Sequence, residues 1–191
     1  MEERRVMQPG DEKAFQSLFR EYYPQLFLYG FKIIPQKELL EDIIQELFAE
    51  LWNRKSWPEV RSLKAYLIKS LQYKIYNKLR QQKLTGAITG STSDFPFEIT
   101  RETLIIQNEE DREKMIKVEK MLAQLSNRQR EIIYLRFYLD LGYEEISQVM
   151  KINYQASRNL LSQAIKILRQ LKTPVIMMFA LIVTCLNIFF K

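Results

Sequence analysis

Histidine is absent from the 191 residues, which removes the commonest general acid and base and every metal site that needs an imidazole. The single cysteine, Cys185, has no partner for an internal disulfide and lies in an apolar stretch, so a reducing compartment is implied. Five Gly and six Pro are too few for a turn-rich all-β protein and favour long helices with few breaks. A cleavable leader is not expected either: MEERRVMQPG is charged and no apolar core follows it, which keeps the N-terminus in the cytoplasm. What is abundant is apolar and basic. At 47% hydrophobic and 27% charged residues the chain can build cores and a soluble surface. With 29 Lys and Arg against 23 Asp and Glu, and a pI near 9.3, nucleic acid or an acidic membrane is a natural partner.

Apolar residues recur at three- and four-residue steps from Asp11 to about Lys83. Phe15, Leu18, Phe19, Tyr22, Leu26, Phe27 and Phe31 mark one helix, which Pro24 is expected to kink or divide. Pro35 is expected to open a second, with Leu39, Leu40, Ile43, Ile44, Leu47, Phe48 and Leu51. A third begins near Ser62 and runs through Leu63, Tyr66, Leu67, Leu71, Ile75 and Leu79. The pattern dissolves from Gln81 into a Ser-, Thr- and Gly-containing stretch that reads as a flexible linker to Asn108. A second helical block starts near Glu109, with Met115, Val118, Met121, Leu122 and Leu125 on one side. Ser126 is placed to cap a helix running toward Gly142, with Glu131 too far on to close a capping box. EEISQVM and the longer YQASRNLLSQAIKILRQLK follow, separated by Lys151, Ile152 and Asn153, the layout of a helix-turn-helix.

Three charged surfaces stand out. On the last long helix, Ala156, Leu160, Leu161, Ala164, Ile167, Leu168 and Leu171 gather on one side. Gln155, Arg158, Asn159, Ser162, Lys166 and Arg169 gather opposite, side chains able to contact phosphates and base edges in a major groove, with Asn153 as N-cap. The same face would also serve as the solvated side of an ordinary amphipathic helix. Between Arg54 and Lys83 lie nine Lys or Arg against the single acid Glu59, interleaved with Trp57, Tyr66, Tyr73 and Tyr76. Cations follow a phosphate backbone and aromatic faces stack on unpaired bases, so this mixture suits single-stranded or melting DNA. The preceding helix is acidic, and Asp42, Gln45, Glu46 and Ala49 share one stripe of it. Without histidine or a second carboxylate motif facing it, that stripe fits protein docking or a solvated face better than a metal or an acid–base pair.

The combination resembles a sigma-70 family RNA polymerase sigma factor of the short, extracytoplasmic-function (ECF) group. LLEDIIQELFAELW (Leu39 to Trp52) is similar to the family's region 2.2, KAYLIKSLQYKIYNKLR (Lys64 to Arg80) to regions 2.3 and 2.4, and Leu125 to Arg169 to region 4. The chain departs from the family pattern at Tyr73 (usually Asn), Asn77 (often Asp), Lys151 (usually Gly) and Ala156–Ser157 (commonly Thr-Val). The resemblance implies an all-α fold of two small helical domains joined by a flexible linker, the second a helix-turn-helix domain. A region 2 domain is expected over residues 1–83, a linker over 84–108, a region 4 domain over 109–172 and a hydrophobic C-terminal tail over 173–191. It implies docking of Asp42, Gln45 and Glu46 on the polymerase β′ coiled coil. It further implies −10 DNA contacts from Lys64, Lys69, Tyr73, Lys74, Lys78 and Arg80, and −35 contacts from Gln155, Arg158, Asn159, Ser162 and Lys166. Partners are then core RNA polymerase, promoter DNA and an anti-sigma factor. No catalytic residue, metal or cofactor is expected. The linker acids Asp94, Glu98, Glu102, Glu109 and Glu110 suit a strand-mimicking passage through the polymerase.

After Pro174, 14 of the 16 residues from Val175 to Phe190 are apolar. As a helix they would span roughly 24 Å, short of the ~30 Å hydrocarbon core, a borderline membrane anchor on an otherwise cytoplasmic protein. The alternative is a tail packed on its own domain or on a partner. The competing function is a membrane-tethered helix-turn-helix regulator that does not bind core polymerase, which would have no use for the Asp42, Gln45, Glu46 stripe.

Overall fold

The computed structural model describes residues 11–54, 60–84, 96–98 and 120–170, and these are helical with short connections. The chain divides into two compact units, Met1–Ser93 and Asp94–Lys191. The apolar run 175–190, Trp57 and the linker acids other than Glu98 lie outside the described residues. Among the described residues no helix is long and apolar enough to cross a membrane.

The first unit packs three helices. α1 (Glu12–Phe31) is capped by Asp11, whose Oδ1 accepts from the Ala14 amide at 3.0 Å, with Glu12 placed favourably in the first turn. Pro24 does not divide it: the helix continues through the proline, whose ring sits on the exposed side. α2 (Lys37–Trp52) starts two residues beyond Pro35 and buries Leu40, Ile43, Ile44, Leu47, Phe48 and Leu51, a stripe at helical spacing. α3 (Leu63–Leu84) is capped by Ser62, whose Oγ accepts from Ala65 at 3.2 Å, and it buries Ala65, Leu67, Ile68, Leu71 and Ile75. It runs to Leu84, past the point at Gln81 where the sequence pattern reads as linker.

The three helices meet at Gly30. A Cβ there would lie 2.5 Å from Leu40 Cδ1 and 3.4 Å from Ile75 Cδ1, so the absent side chain is what lets α1 approach α2 and α3. One turn away, the Gln72 side-chain amide donates to the Tyr29 hydroxyl at 3.0 Å, both residues being buried. This contact supplies hydrogen bonding to polar atoms inside the bundle.

The second unit is the helix-turn-helix domain. α4 (Asn127–Ile133) opens with a capping box, but not with Glu131. Ser126 Oγ accepts from the Gln129 amide at 3.3 Å and the Gln129 side chain accepts from the Ser126 amide at 3.0 Å, while Glu131 is buried. The helix then widens to a π-helical turn over Tyr134–Tyr138, where the Leu139 amide reaches back to the Tyr134 carbonyl at 3.1 Å. Asp140 follows at φ 51°, in the left-handed region. α5 (Tyr143–Met150) and α6 (Tyr154–Gln170) follow, and Ile132, Leu135, Leu139, Leu141, Ile146, Val149, Leu161, Ala164 and Leu168 form the shared core.

Lys151 ends α5 in the left-handed conformation, φ 53° and ψ 47°, which favours glycine. The stretch read as flexible linker also contains an anchor. Phe97 is 2% exposed, meets Tyr134 edge-on at 5.7 Å between ring centroids, and its carbonyl accepts from Arg130 at 3.5 Å.

Candidate nucleic-acid interface

The outward side of α2 carries Asp42, Gln45, Glu46, Ala49 and Glu50, all exposed because the helix period turns its apolar stripe the other way. Gln45 and Ala49 rim an open groove of about 450 Å³ whose apolar walls are Phe15, Phe19, Phe48 and Trp52. Phe15 packs edge-on against Phe48 at 6.1 Å and against Trp52 at 4.8 Å. The stripe is therefore an acidic margin beside an aromatic groove, a combination that can hold a partner helix by contact and charge.

On α3 the six residues grouped by sequence separate. Lys69, Tyr73 and Arg80 lie within ~40° of one another at 100° per residue, and all three are exposed. Tyr73, at 60% exposure, presents an aromatic face in the middle of this stripe. Lys64 is half-buried in the first turn of α3. Lys74 and Lys78 lie on the flank that faces α2. The Lys74 ammonium donates to Glu46 at 2.9 Å and to Glu50 at 2.6 Å, and its side chain is 15% exposed. Burial opposes the charge on Lys74, but hydrogen bonds and attraction from Glu50 and Glu46 outweigh it and raise the ammonium above its usual range. The same hydrogen bond from Lys74, then its charge, hold the Glu46 carboxyl below the usual range, with Lys78 adding a smaller attraction. Lys74 does not stand among the outward-facing cations because two carboxylates from the neighbouring helix claim it.

On α6, Gln155, Arg158, Asn159, Ser162, Lys166 and Arg169 are all exposed, so the expected reading face is open to solvent along its length. Its N-terminus is fixed by Asn153, whose Oδ1 accepts from Ala156 at 2.7 Å. Within the face the Gln155 amide donates to Asn159 at 3.0 Å. Ser157, by contrast, is fully buried, with its hydroxyl donating to the Tyr154 carbonyl at 2.7 Å.

Sequence reasoning missed Tyr154. It is 47% exposed at the start of α6, with Arg158 over its ring at 6.0 Å and Tyr143 edge-on at 5.8 Å. Arg136 in turn lies 5.7 Å over the Tyr143 ring.

Three arginines of this unit bind backbone carbonyls. Arg128 donates to Met150 at 3.2 Å, Arg130 to Leu122 at 2.9 Å and Arg136 to Leu141 at 2.9 Å. A sequence signal existed for one of them, since Arg128 lies in the first turn of α4, where the helix dipole disfavours a cation unless another group compensates.

Two family models match the chain, "Sigma-70 region 2" over residues 18–85 and "Sigma-70, region 4" over residues 115–168. The chain belongs to the sigma-70 family. It is similar to the ECF RNA polymerase sigma factor SigX of Bacillus subtilis (strain 168), 24% identical over 166 residues, which is 83% of this chain and 84% of that protein. The RNA polymerase sigma factor SigV of the same organism is 24% identical over 150 residues, 78% of this chain and 85% of its own.

Among solved structures, the fold resembles the sigma factor RpoE in complex with the anti-sigma factor NepR from Bartonella quintana. The TM-score is 0.58 at 21% identity, over 83% of this chain and 96% of that one. It also resembles CnrH in complex with the cytosolic domain of CnrY, at TM-score 0.54 and 18% identity, over 85% and 89% of the two chains. The chain is a sigma factor of the ECF group: it binds core RNA polymerase and directs it to promoter DNA. Members of the family are regulatory proteins and leave the chemistry of transcription to the polymerase.

Proposed function

We propose a division of labour among three exposed faces. Asp42, Gln45 and Glu46 of α2 dock on core polymerase, with the Phe15, Phe19, Phe48 and Trp52 groove beside them. Lys69, Tyr73 and Arg80 of α3 meet the −10 element, where Tyr73 offers a ring for an unpaired base and the two cations neutralise phosphates, flanked by Lys64 and Lys78. Gln155, Arg158, Asn159, Ser162 and Lys166 of α6 read the −35 element in the major groove. The observation that carries this reading is the exposure of these faces, acidic on α2 and basic or polar on α3 and α6, while the opposite sides of the same helices form the cores.

Functional boundaries are placed at residues 1–83, 84–108, 109–172 and 173–191, and no chemistry of the chain's own is assigned. An anti-sigma factor is the proposed regulator, by analogy with RpoE and NepR. The working site is the cytoplasm, with residues 175–190 as the segment for membrane contact. Cell fractionation with and without residues 174–191 tests that placement. Run-off transcription with purified core enzyme and a promoter library tests the main reading. Promoter-specific transcripts that disappear with Asp42→Ala and change sequence preference with Arg158→Ala are the expected result. Unchanged core binding by Asp42→Ala, Gln45→Ala and Glu46→Gln would remove α2 from the docking role.

A further inference from the structure

We propose that Lys74 is a positioning residue of the polymerase-docking face and makes no phosphate contact at the −10 element. The inference rests on the assignment of Glu46 to polymerase docking. Lys74 lies on the helix assigned to DNA, yet its ammonium is held 2.9 Å from Glu46 and 2.6 Å from Glu50, on the helix assigned to the polymerase.

Glu46 and Glu50 are four residues apart, so their carboxylates share one side of α2 and repel each other. A cation entering from α3 between them removes that repulsion and fixes both side chains in one arrangement. Lys74 suits this role because its side chain is only 15% exposed, while the carboxylates remain 63% and 54% exposed and available to a partner. Two acceptors on a partly buried ammonium also orient it more tightly than a single surface pair would.

The same geometry excludes Lys74 from the DNA face. A phosphate approaching it meets two carboxylates first, and a lysine already neutralised by protein releases no counterion when DNA binds. Lys69 and Arg80, on the outward stripe beside Tyr73, carry that role instead. The Lys74 link also sets the register of α3 on α2, so the docking helix and the −10 helix present their faces at a fixed spacing.

The experiment uses the full chain and purified core polymerase. Core affinity is measured for wild type, Lys74→Met, Lys74→Arg, Glu46→Gln and the double variant Lys74→Met/Glu46→Gln. The salt dependence of promoter binding is then measured for the assembled holoenzymes, with Lys69→Met as a DNA-contact variant and thermal unfolding of each free chain recorded alongside. The expected result is a loss of core affinity of roughly three- to thirty-fold for Lys74→Met, restored in large part by Lys74→Arg, with the double variant no weaker than Glu46→Gln alone. Lys74→Met should leave the salt slope of promoter binding unchanged, whereas Lys69→Met should lower it by about 1.

Full core affinity in Lys74→Met, together with a reduced salt slope, would overturn the inference and return Lys74 to the DNA contacts while Glu46 kept its docking role. Full core affinity in Glu46→Gln would overturn the docking assignment itself and the inference with it. If Lys74→Met is too unstable to assay, Lys74→Gln replaces it, and the same two readouts decide.

Discussion

Arg128, in the first turn of α4, donates from its guanidinium to the carbonyl of Met150, the last residue of α5, at 3.2 Å. The bond closes a helix end and ties the first helix of the helix-turn-helix to the helix that precedes it. Arg128→Met should destabilise the second unit by about 1–3 kcal/mol, because a part-buried carbonyl loses its charged donor. Urea unfolding of the chain followed by a probe in α6 checks this. Weaker −35 binding should accompany the loss without a change in preferred sequence.

Lys151 occupies a left-handed position, φ 53°, between the two helices of the motif. Lys151→Gly should raise stability by about 1 kcal/mol, since that conformation costs a side-chain-bearing residue on the order of 1–2 kcal/mol and glycine nothing, less the entropy glycine adds to the unfolded chain. Thermal unfolding reads the shift, and a destabilised variant would refute the strain argument.

Gly30 leaves room for the Leu40 side chain. Gly30→Ala sets a Cβ 2.5 Å from Leu40 Cδ1, and the repacking it forces should cost about 1–3 kcal/mol. In Gly30→Ala/Leu40→Ala the clash is gone, so the two single losses should fail to add. Denaturant melts of the four proteins complete that cycle.

Burial in the turn after α1 lowers the Lys32 ammonium from 10.5 to about 8. Between those two pH values the unfolded chain binds a proton that the folded chain does not, so this group makes stability rise with pH across the window. Its cost is fully present below about pH 8. Lys32→Met should therefore gain most over wild type at pH 7, and the gain should shrink as pH approaches 10.5. A pH-independent difference in urea midpoints would show that the lysine does not titrate in this way.

Within the reading face, Arg158 and Lys166 should behave differently. Arg158→Ala is expected to cost about 1–3 kcal/mol on the preferred −35 sequence and to relax specificity, whereas Lys166→Met should weaken all sequences alike and lower the salt slope by about 1. Competition binding against a set of single-base −35 variants separates the two. Equal loss of specificity in both variants would merge their roles.

Helical periodicity makes much of this legible in the sequence. The spacing of Leu40, Ile43, Ile44, Leu47 and Leu51 identifies a helix with one buried side, and the same arithmetic leaves Asp42, Gln45 and Glu46 outside. The α6 wheel separates Leu161, Ala164 and Leu168 from Arg158, Asn159 and Lys166, as found. Two expectations fail, for different reasons. Pro24 reads as a break in α1, but its ring faces solvent and the helix continues through it. Phe97 sits among linker-like residues, and nothing local reveals that Tyr134 and Arg130 hold it.

Periodicity along one helix depends only on that helix, so the helices, their buried sides and the sign of charge on each surface are readable without any neighbour. Tertiary structure decides which cations are already held by other groups of the protein. Lys74 reaches Glu46 across 28 residues and Arg128 reaches Met150 across 22, so their occupation is invisible to any pattern confined to one element. A lysine's charge can be counted from the sequence. Whether that charge meets a phosphate or is already neutralised by two carboxylates depends on the helix packed beside it.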